Sequence, residues 1–331
     1  MEREAMYWEA EGDRIRCRLC PHRCLIAQGK RGLCTVRENR GGRLVPLTYG
    51  QVTSVHMDPI EKKPLFHFHP GSQILSIGAR GCNLSCDFCQ NWEISKEEAS
   101  THPLAPGDAV ALAVRERRKG GSIGLAFTYN EPLIWYEYLI DTCRLARDQG
   151  LKNVLVTNGE IEEEPLRELL PLIDAMNVDV KSMSSDFYRR LCHGPSEPPR
   201  RTVETAVGRC HVEVTNLLIP GENDAPEQIG ELVDWLAGVS DRVPVHFSRY
   251  HPAYRMSKPP TPLASLERAW RLATEKLRYV YVGNAALPGT EDTRCPHCGA
   301  VVVERAGFWG AELKLKDGKC SACGHEVDIV T

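Results

Sequence analysis

Residues 74–89 read Ile-Leu-Ser-Ile-Gly-Ala-Arg-Gly-Cys-Asn-Leu-Ser-Cys-Asp-Phe-Cys, and this stretch decides the fold. Its first four residues form a short β-branched run that is typical of a buried strand. After Gly81 the chain presents Cys82, Cys86 and Cys89 with the spacing Cys-x3-Cys-x2-Cys. Three thiolates on one loop can bind three irons of a [4Fe–4S] cluster, which normally takes four cysteines. The fourth iron then has no protein thiolate and can bind another ligand.

Strand and helix patterns alternate from this stretch to about residue 283. Alternation of this kind indicates βα units and a parallel sheet, so the predicted fold class is α/β. Six units and a final strand are fewer than the eight units of a closed barrel, which predicts a partial (β/α)6 barrel of the TIM type. Strands are predicted at 74–77, 123–128, 153–156, 176–180, 212–219, 243–247 and 279–282, and helices at 107–119, 133–149, 162–171, 184–191, 225–238 and 263–277.

Two cysteine-rich segments flank the predicted barrel, which we place at residues 70–288. Residues 1–69 form an N-terminal unit in which positions 14–43 hold nine Lys or Arg and one acid. Its last part, 44–69, reads as short strands or extended connections. Residues 289–331 contain two Cys-x-x-Cys-Gly turns around a polar stretch. A segment this small seldom folds alone, so we predict a metal-stabilised C-terminal domain.

The composition predicts a cytoplasmic protein with metal sites. The 331 residues include 41 Lys and Arg against 44 Asp and Glu, and the net charge of −3 excludes a strongly basic nucleic-acid coat. No apolar run approaches the roughly 18 residues of a membrane span, and residues 1–16 lack the apolar segment of a signal peptide. Thiols stay free in a reducing compartment unless they bind metal or do chemistry, so the 14 cysteines point to metals.

Most of the other cysteines form two quartets. The C-terminal quartet has two knuckles separated by 21 residues, which predicts a structural zinc ribbon, with a rubredoxin-like iron site as the rival. For the N-terminal quartet three alternatives stay open: a structural zinc, a second iron–sulfur cluster, or redox and disulfide chemistry. The remaining three cysteines are predicted to be ordinary buried residues. The C-terminal quartet is Cys295, Cys298, Cys320 and Cys323, the N-terminal quartet is Cys17, Cys20, Cys24 and Cys34, and the others are Cys143, Cys192 and Cys210.

Several predicted strands end in polar residues. Barrel-like sheets place their chemistry at the carboxyl ends of the strands, so these residues outline a site near the cysteine loop. The polar ends are Arg80-Gly81-Cys82, Tyr129-Asn130-Glu131, Thr157-Asn158-Gly159, Asp179-Val180-Lys181 and Arg249-Tyr250-His251.

The loop from Cys82 to Cys89 resembles the signature of the radical S-adenosylmethionine (SAM) superfamily. In that superfamily SAM chelates the open iron, and an electron from the reduced cluster cleaves it to methionine and a 5′-deoxyadenosyl radical. This radical abstracts hydrogen from a substrate. The resemblance therefore implies a [4Fe–4S] cluster, SAM and a low-potential electron donor such as flavodoxin or ferredoxin.

The polar strand ends resemble the activating enzymes of glycyl-radical enzymes, of which the pyruvate formate-lyase activating enzyme is one. The resemblance implies that Glu131 receives the amino group of SAM and that Asp179, Lys181 and His251 lie near the rest of it. Val156 stands where that branch carries an aspartate, so a cation site built on the aspartate is not expected. The cofactor-binding residues implied are Asn91, Asn130, Glu131, Thr157, Asn158, Asp179, Lys181 and His251.

A longer similarity extends over nearly the whole chain. The N-terminal Cys-Arg-Leu-Cys-Pro-His-Arg-Cys, the segment 58–68 and the segment 246–252 resemble the AmmeMemoRadiSam radical SAM family, whose members occur with Memo-like and AMME-type proteins. This implies those proteins as partners and an activating-enzyme-like oxidoreductase acting on a protein or another macromolecule. The alternatives are an RNA-modifying radical SAM enzyme and a metal-stabilised nucleic-acid-binding adaptor, although the acidic net charge argues against nucleic acid as a partner.

Overall fold

The computed structural model describes residues 3–308 and 310–331. Its centre is an eight-stranded sheet with helices on the crossovers and small β-rich units before and after it. The strands are β1 (Trp8–Glu11), β2 (Arg14–Cys17), β3 (Leu25–Ala27), β4 (Arg37–Arg40), β5 (Arg43–Pro46), β6 (Gln51–Val52), β7 (Ser54–Pro59), β8 (Gln73–Gly78), β9 (His102–Pro103), β10 (Ser122–Phe127), β11 (Lys152–Thr157), β12 (Ala175–Asp179), β13 (His211–Leu218), β14 (Val245–Arg249), β15 (Val280–Gly283), β16 (Thr293–Arg294), β17 (Val301–Arg305), β18 (Ala311–Leu313), β19 (Leu315–Lys316) and β20 (Lys319–Cys320).

Seven strands of the central sheet are parallel, and they confirm the predicted α/β alternation. Their order across the sheet is β15-β14-β13-β12-β11-β10-β8, so strands that follow one another along the chain are neighbours in the sheet. The short β9 lies between β8 and β10 in the sequence but belongs to another sheet, in which it pairs with β6. Strand β7 adds to β8 in antiparallel orientation, so the sheet is open with β15 and β7 at its edges. The part of the chain just before the predicted barrel therefore contributes the outermost strand of its sheet.

Six helical crossovers connect the parallel strands, and five of them match the predicted helices closely. The helices are α1 (Trp92–Lys96), α2 (Pro106–Gly120), α3 (Tyr136–Asp148), α4 (Glu163–Leu169), α5 (Ser185–Phe187), α6 (Glu197–Ala206), α7 (Pro226–Val239) and α8 (Leu263–Thr274). Short 3₁₀ turns lie at Ile60–Lys62, Pro132–Trp135 and Leu170–Leu172. Among the described residues, no helix is long and apolar enough to cross a membrane.

The crossover after β12 differs from the prediction of a single helix at 184–191. Helix α5 continues into one π-helical turn at Tyr188–Cys192, the chain reverses at His193 with φ of 56°, and α6 follows. The sequence analysis did not predict α6, in which Pro198 and Pro199 lie. Both prolines occupy the first turn, where no backbone N–H is needed for the helical hydrogen bonds.

The N-terminal unit packs against α3 through a buried ion pair. The three-stranded sheet β1-β2-β3 and the hairpin β4–β5 form this unit. Arg37, at the start of β4, donates to both carboxylate oxygens of Glu137 on α3, at 2.7 and 3.2 Å, and also to the carbonyl of Met6 at 2.8 Å. Both charged side chains are at most 2% exposed, so each depends on the other for compensation of its charge.

The amino ends of the parallel strands are closed by a second buried network, centred on Glu213 of β13. Its carboxylate accepts from the backbone N–H groups of Phe66 and His67 at 3.0 and 2.7 Å, and it also contacts the ring nitrogen of His246 at 2.6 Å. Burial alone would raise the pKa of Glu213, but its histidine partners hold it well below its usual value. His67 contacts the hydroxyl of Tyr281 on the edge strand β15.

The C-terminal domain docks on this same end of the sheet. It consists of the sheet β16-β17-β18 and the hairpin β19–β20. Its apolar residues share a core with Phe66, Tyr279 and Tyr281. Arg305 of β17 donates to the carbonyl of Phe66 at 2.5 Å and packs its guanidinium over the Phe66 ring. The C-terminal domain and the cysteine loop after β8 therefore lie at opposite ends of the parallel strands.

We expect Arg37→Met to lower the free energy of unfolding by about 3–5 kcal/mol, because it leaves the Glu137 carboxylate buried without a partner. Adding Glu137→Gln should recover part of this loss. Urea unfolding under anaerobic conditions, followed by tryptophan fluorescence, measures both. Arg18→Met is the matched control, since Arg18 and Glu9 form a half-exposed pair worth about 1 kcal/mol or less. Equal losses from Arg37→Met and Arg18→Met would contradict the assigned role of the buried pair.

Candidate functional site

The cysteine loop leaves the carboxyl end of β8 through Gly81, where a side chain would be both strained and crowded. Gly81 has φ of 89°, and a Cβ atom at this position would lie 2.6 Å from the carbonyl oxygen of Cys34. The N-terminal unit therefore packs directly against the start of the loop. Backbone N–H groups of Ser85 and Asp87 donate to the carbonyls of Cys192 and Leu191, both at 2.9 Å, which fixes the loop against the π-helical turn.

The three thiols lie in a mainly apolar environment that can enclose a cluster. Cys86 belongs to a buried group that includes Phe88, Tyr188 and Tyr250, and Cys82 and Cys89 pack against it. The sulfur of Cys82 accepts from the backbone N–H of Leu84 at 3.4 Å. Hydrogen bonds to the sulfurs and exclusion of solvent are two means by which proteins tune an iron–sulfur centre.

Lysine residues next to the loop favour thiolate ligands. Burial raises the pKa of the Cys82 thiol well above its usual value, so a free thiolate is disfavoured there without a metal ion. The pKa of Cys86 is lowered, first by a hydrogen bond with Cys192 and then by the charges of Lys181 and Lys96. This donor set of three thiols with nearby cations fits a [4Fe–4S] cluster.

Glu131 connects the ends of β10 and β11 next to this loop. Its buried carboxylate accepts from the hydroxyl of Thr157 at 2.7 Å, from the backbone N–H of Asn158 at 2.7 Å and from the backbone N–H of Leu133 at 2.9 Å. Burial raises the pKa of Glu131 to about 7 in spite of these donors. Three of the residues predicted from the sequence thus form one hydrogen-bonded group.

Three asparagines hold the cysteine loop in place. Asn130 accepts from the backbone N–H of Ala79 and donates to the carbonyl of Gly81, at 3.0 and 3.1 Å. Asn158 donates to Asn83 at 3.0 Å and to the sulfur of Cys82 at 3.6 Å. Asn91, just beyond Cys89, donates to the carbonyl of Tyr129 at 2.7 Å, and Tyr129 itself adopts φ of 75°.

Asp179 and Lys181 lie at the end of β12, on the far side of the loop. Lys181 donates to Asp179 at 2.9 Å. Burial would lower the pKa of Lys181, but the negative charges of Asp179 and Cys86 outweigh burial and raise this pKa well above its usual value. His251 lies beyond β14 and is exposed, whereas its neighbour Tyr250 is buried and donates to the carbonyl of Met256. The structure therefore brings the other predicted residues together and leaves His251 at the rim.

Two buried residues near the cysteines were missed by the sequence analysis. Cys192, predicted to be ordinary, contacts Cys86. Glu160, two residues beyond Asn158, is fully buried, and neither of its carboxyl oxygens has a hydrogen-bond partner. Burial raises the pKa of Glu160 to about 9, and the charges of Glu131 and Cys86 act in the same direction. The sequence offers one indication that Glu160 lies near the site, because Glu160 directly follows the polar strand end Thr157-Asn158-Gly159.

An open groove runs beside the site, along the antiparallel edge strand β7. Asp58, Lys62, Asn91 and Tyr129 are among its lining residues. Asp58 accepts from Lys62 and Lys63, at 2.8 and 2.7 Å, and from the hydroxyl of Tyr129. Burial would raise the pKa of Asp58, but these three donors hold it well below its usual value. The groove gives the cysteine loop an approach from solvent that the sequence did not reveal.

The C-terminal quartet has the geometry of a single-ion site. Its four sulfurs all lie within 4.8 Å of one another, with Cys295 to Cys323 and Cys298 to Cys320 both at 3.7 Å. Four thiolates around one zinc ion, with bonds of about 2.3 Å, require sulfur separations of about 3.8 Å. The four residues therefore fit a structural metal ion.

Comparisons with known proteins were consistent with this site. The family model described as the radical SAM superfamily matches residues 76–236. An uncharacterized protein of Methanocaldococcus jannaschii is 42% identical over 339 residues, which cover 99% of each chain. The pyruvate formate-lyase-activating enzyme of Clostridium pasteurianum is 25% identical over 177 residues, which cover 52% of this chain and 73% of that one. A radical SAM methyltransferase from Sphaerobacter thermophilus shares the fold, with a TM-score of 0.51, 18% identity, and coverage of 65% of this chain and 67% of that one.

We expect Glu160→Gln to reduce the pH dependence of stability. In the folded chain Glu160 stays protonated up to about pH 9, whereas in the unfolded chain it ionises near its usual value. Its contribution to the free energy of unfolding is therefore fully present at low pH and falls as pH rises through this range, by at most about 1.4 kcal/mol per pH unit.

Thermal unfolding midpoints of the anaerobically purified protein, measured from pH 5 to pH 9, test this expectation. Glu160→Gln should flatten the decline seen for the unaltered chain. Glu164→Gln, at an exposed position on α4, should leave the decline unchanged. A Glu160→Gln protein with the same pH profile as the unaltered chain would show that Glu160 is ionised in the fold.

Proposed function

Because this chain belongs to the radical SAM superfamily, we propose that it is an activating-enzyme-like catalyst that abstracts hydrogen from a protein or another macromolecule. When bound, a reduced [4Fe–4S] cluster and SAM together supply methionine and a 5′-deoxyadenosyl radical. The observation that carries the proposal is the set of three thiols at one strand end, one buried and two partly buried, surrounded by the polar ends of β10, β11 and β12.

We assign distinct tasks to the polar residues around the thiols. Asn130 and Asn158 hold the loop, and Glu131 joins the strand ends so that its carboxylate stays next to Cys82. A carboxylate there is suited to an ammonium group, which SAM carries. Asp179 and Lys181 offer one group of each charge beside Cys86, and these suit the ribose hydroxyls and the carboxylate of SAM.

A macromolecular substrate is supported by the relatives and by the groove. Two relatives are named as activating enzymes: the one from Clostridium pasteurianum and, over 71 residues at 28% identity, the 4-hydroxyphenylacetate decarboxylase activating enzyme of Clostridium scatologenes. The groove lined by Asp58, Lys62, Asn91 and Tyr129 is open to solvent. It reaches the cysteine loop at Asn91, two residues beyond Cys89. We propose a flavodoxin- or ferredoxin-type protein as electron donor and Memo-like and AMME-type proteins as further partners.

A nucleic-acid substrate is the less favoured alternative. The main support for a nucleic-acid substrate is the excess of Arg and Lys in the sequence of the N-terminal unit. In the fold, Arg16, Arg18, Arg23 and Arg31 each form an ion pair with a nearby Glu. These charges are largely compensated within the protein, so they offer less to phosphate groups than the sequence count implies.

After anaerobic reconstitution and reduction, the protein should convert SAM to 5′-deoxyadenosine, measured by liquid chromatography and mass spectrometry. Cys86→Ala should reduce this conversion at least 100-fold, because the cluster loses one of its three thiolates. Cys210→Ala is the matched control, since this partly exposed thiol lies at the opposite end of the sheet, and it should keep the activity. Equal conversion by Cys86→Ala and the unaltered chain would disprove the assignment.

We propose that the C-terminal quartet binds a structural zinc ion. Purified protein should then contain about one zinc per chain, and Cys298→Ser should lose it. Because metal binding supplies much of the folding energy of so small a domain, this variant should also be cleaved faster by protease after residue 289. His297→Ala, at an exposed position next to the ligand, should retain the metal. Iron in place of zinc, lost on Cys298→Ser, would instead assign a rubredoxin-like site.

A further inference from the structure

The N-terminal quartet of cysteines surrounds one small enclosed cavity. Strand β2 ends in Cys17, the turn toward β3 carries Cys20 and Cys24, and Cys34 lies just before β4. All four line the cavity, together with His22 and Arg37. All four are free thiols in the structure.

The spacing of these sulfurs separates the two metal alternatives. Among the described residues, only the C-terminal quartet has three or more potential ligand atoms that all lie within 4.8 Å of one another. No three of the N-terminal sulfurs therefore all lie within 4.8 Å of one another, whereas the four sulfurs of a tetrahedral zinc site are about 3.8 Å apart. The sulfurs of Cys82, Cys86 and Cys89, on the loop typical of a [4Fe–4S] cluster, are also spread more widely.

The polar surroundings also suit a buried cluster with negative charge. The guanidinium of Arg37 lies beside Cys17 and Cys34. The backbone N–H of Leu33 donates to the sulfur of Cys24 at 3.4 Å, and the sulfurs of Cys20 and Cys34 also have backbone hydrogen bonds.

The cavity lies between solvent and the loop that follows β8. Its outer wall includes Leu33, which is 65% exposed. Its inner wall includes Asn83, the neighbour of Cys82. The carbonyl of Cys34 packs on Gly81, which precedes Cys82. A centre in this cavity would be next to the surface on one side and next to the three-cysteine loop on the other.

We propose that Cys17, Cys20, Cys24 and Cys34 bind a second iron–sulfur cluster that relays electrons to the cluster on Cys82, Cys86 and Cys89. A reduced flavodoxin- or ferredoxin-type protein gives one electron to the outer cluster, and that electron reduces the inner one. The donor is oxidised by one electron, the inner cluster is reduced by one, and the outer cluster returns to its starting state. The binding of the outer cluster is independent of the proposed substrate; its relay role rests on the proposed SAM chemistry.

Iron and sulfide analysis of one variant tests the binding site without any activity. Cys82→Ala/Cys86→Ala/Cys89→Ala should retain about four irons and four sulfides per chain after anaerobic reconstitution, and should show an iron–sulfur electron paramagnetic resonance signal on reduction. Adding Cys20→Ser and Cys24→Ser should remove both. Adding Cys298→Ser instead should leave both. The proposal would be overturned if the triple variant bound no iron and the unaltered chain contained two zinc ions when purified.

The unaltered chain gives a second measurement that does not depend on the folding of a variant. It should bind about eight irons per chain, and Mössbauer spectra should contain two cluster environments, of which only one changes when SAM is added. About four irons per chain, all of them sensitive to SAM, would also overturn the proposal.

The relay is tested by comparing two reductants on the same protein. Cys24→Ser should lower the ratio of flavodoxin-driven to dithionite-driven SAM cleavage at least tenfold, because dithionite is small enough to reduce the inner cluster directly. Asp13→Asn, a surface change on the same unit, should leave the ratio unchanged. An unchanged ratio in Cys24→Ser would overturn the relay. Absence of SAM cleavage in the unaltered chain with either reductant would count against the proposed function instead.

Discussion

At the carboxyl ends of the parallel strands, the carboxylate of Glu131 accepts hydrogen bonds from Leu133, just beyond β10, and from Thr157 and Asn158 at the end of β11. The cysteine loop depends on this contact, because Asn158, whose backbone bonds to Glu131, bonds through its side chain to Cys82 and Asn83. A buried carboxylate is costly unless its oxygens are fully hydrogen-bonded. The three donors satisfy that requirement and at the same time fix the relative positions of two strand ends and a metal-binding loop.

A second carboxylate, Glu213, performs the corresponding task at the amino ends of the strands. It joins the segment before the barrel to β13 and β14, and through His67 and Tyr281 to the C-terminal domain. The two ends of the sheet are thus specialised. One end holds the residues suited to chemistry, and the other attaches the small C-terminal domain that carries a four-cysteine group.

The sequence predicted the parallel strands and most helices because their hydrophobic periodicity is local. It did not predict α6, and it did not predict the antiparallel pairing of β7 with β8, which is a contact between separate segments. For the four-cysteine N-terminal unit it left a zinc site, a second iron–sulfur cluster, and redox or disulfide chemistry open. Spacing along the chain does not give the spacing of sulfurs in space.

The same distinction applies to individual residues. Asp58 and Lys63 are far from Tyr129 in the sequence, and yet the three residues form one hydrogen-bonded polar group beside the groove. Cys192 has no motif around it, and only the π-helical turn brings it to Cys86. Their positions depend on packing between segments, which no local pattern encodes.

The cysteine groups, the α/β alternation and the polar strand ends could all be predicted from the sequence alone. Ligand spacing and hydrophobic period are properties of short segments, so they can be read without the fold. The tertiary structure alone decided which cysteines are close enough to share a single ion, which unit lies against the loop from Cys82 to Cys89, and which buried carboxylates are satisfied. These depend on distances between segments that are far apart in the chain, and those distances are set by the packing of the whole fold.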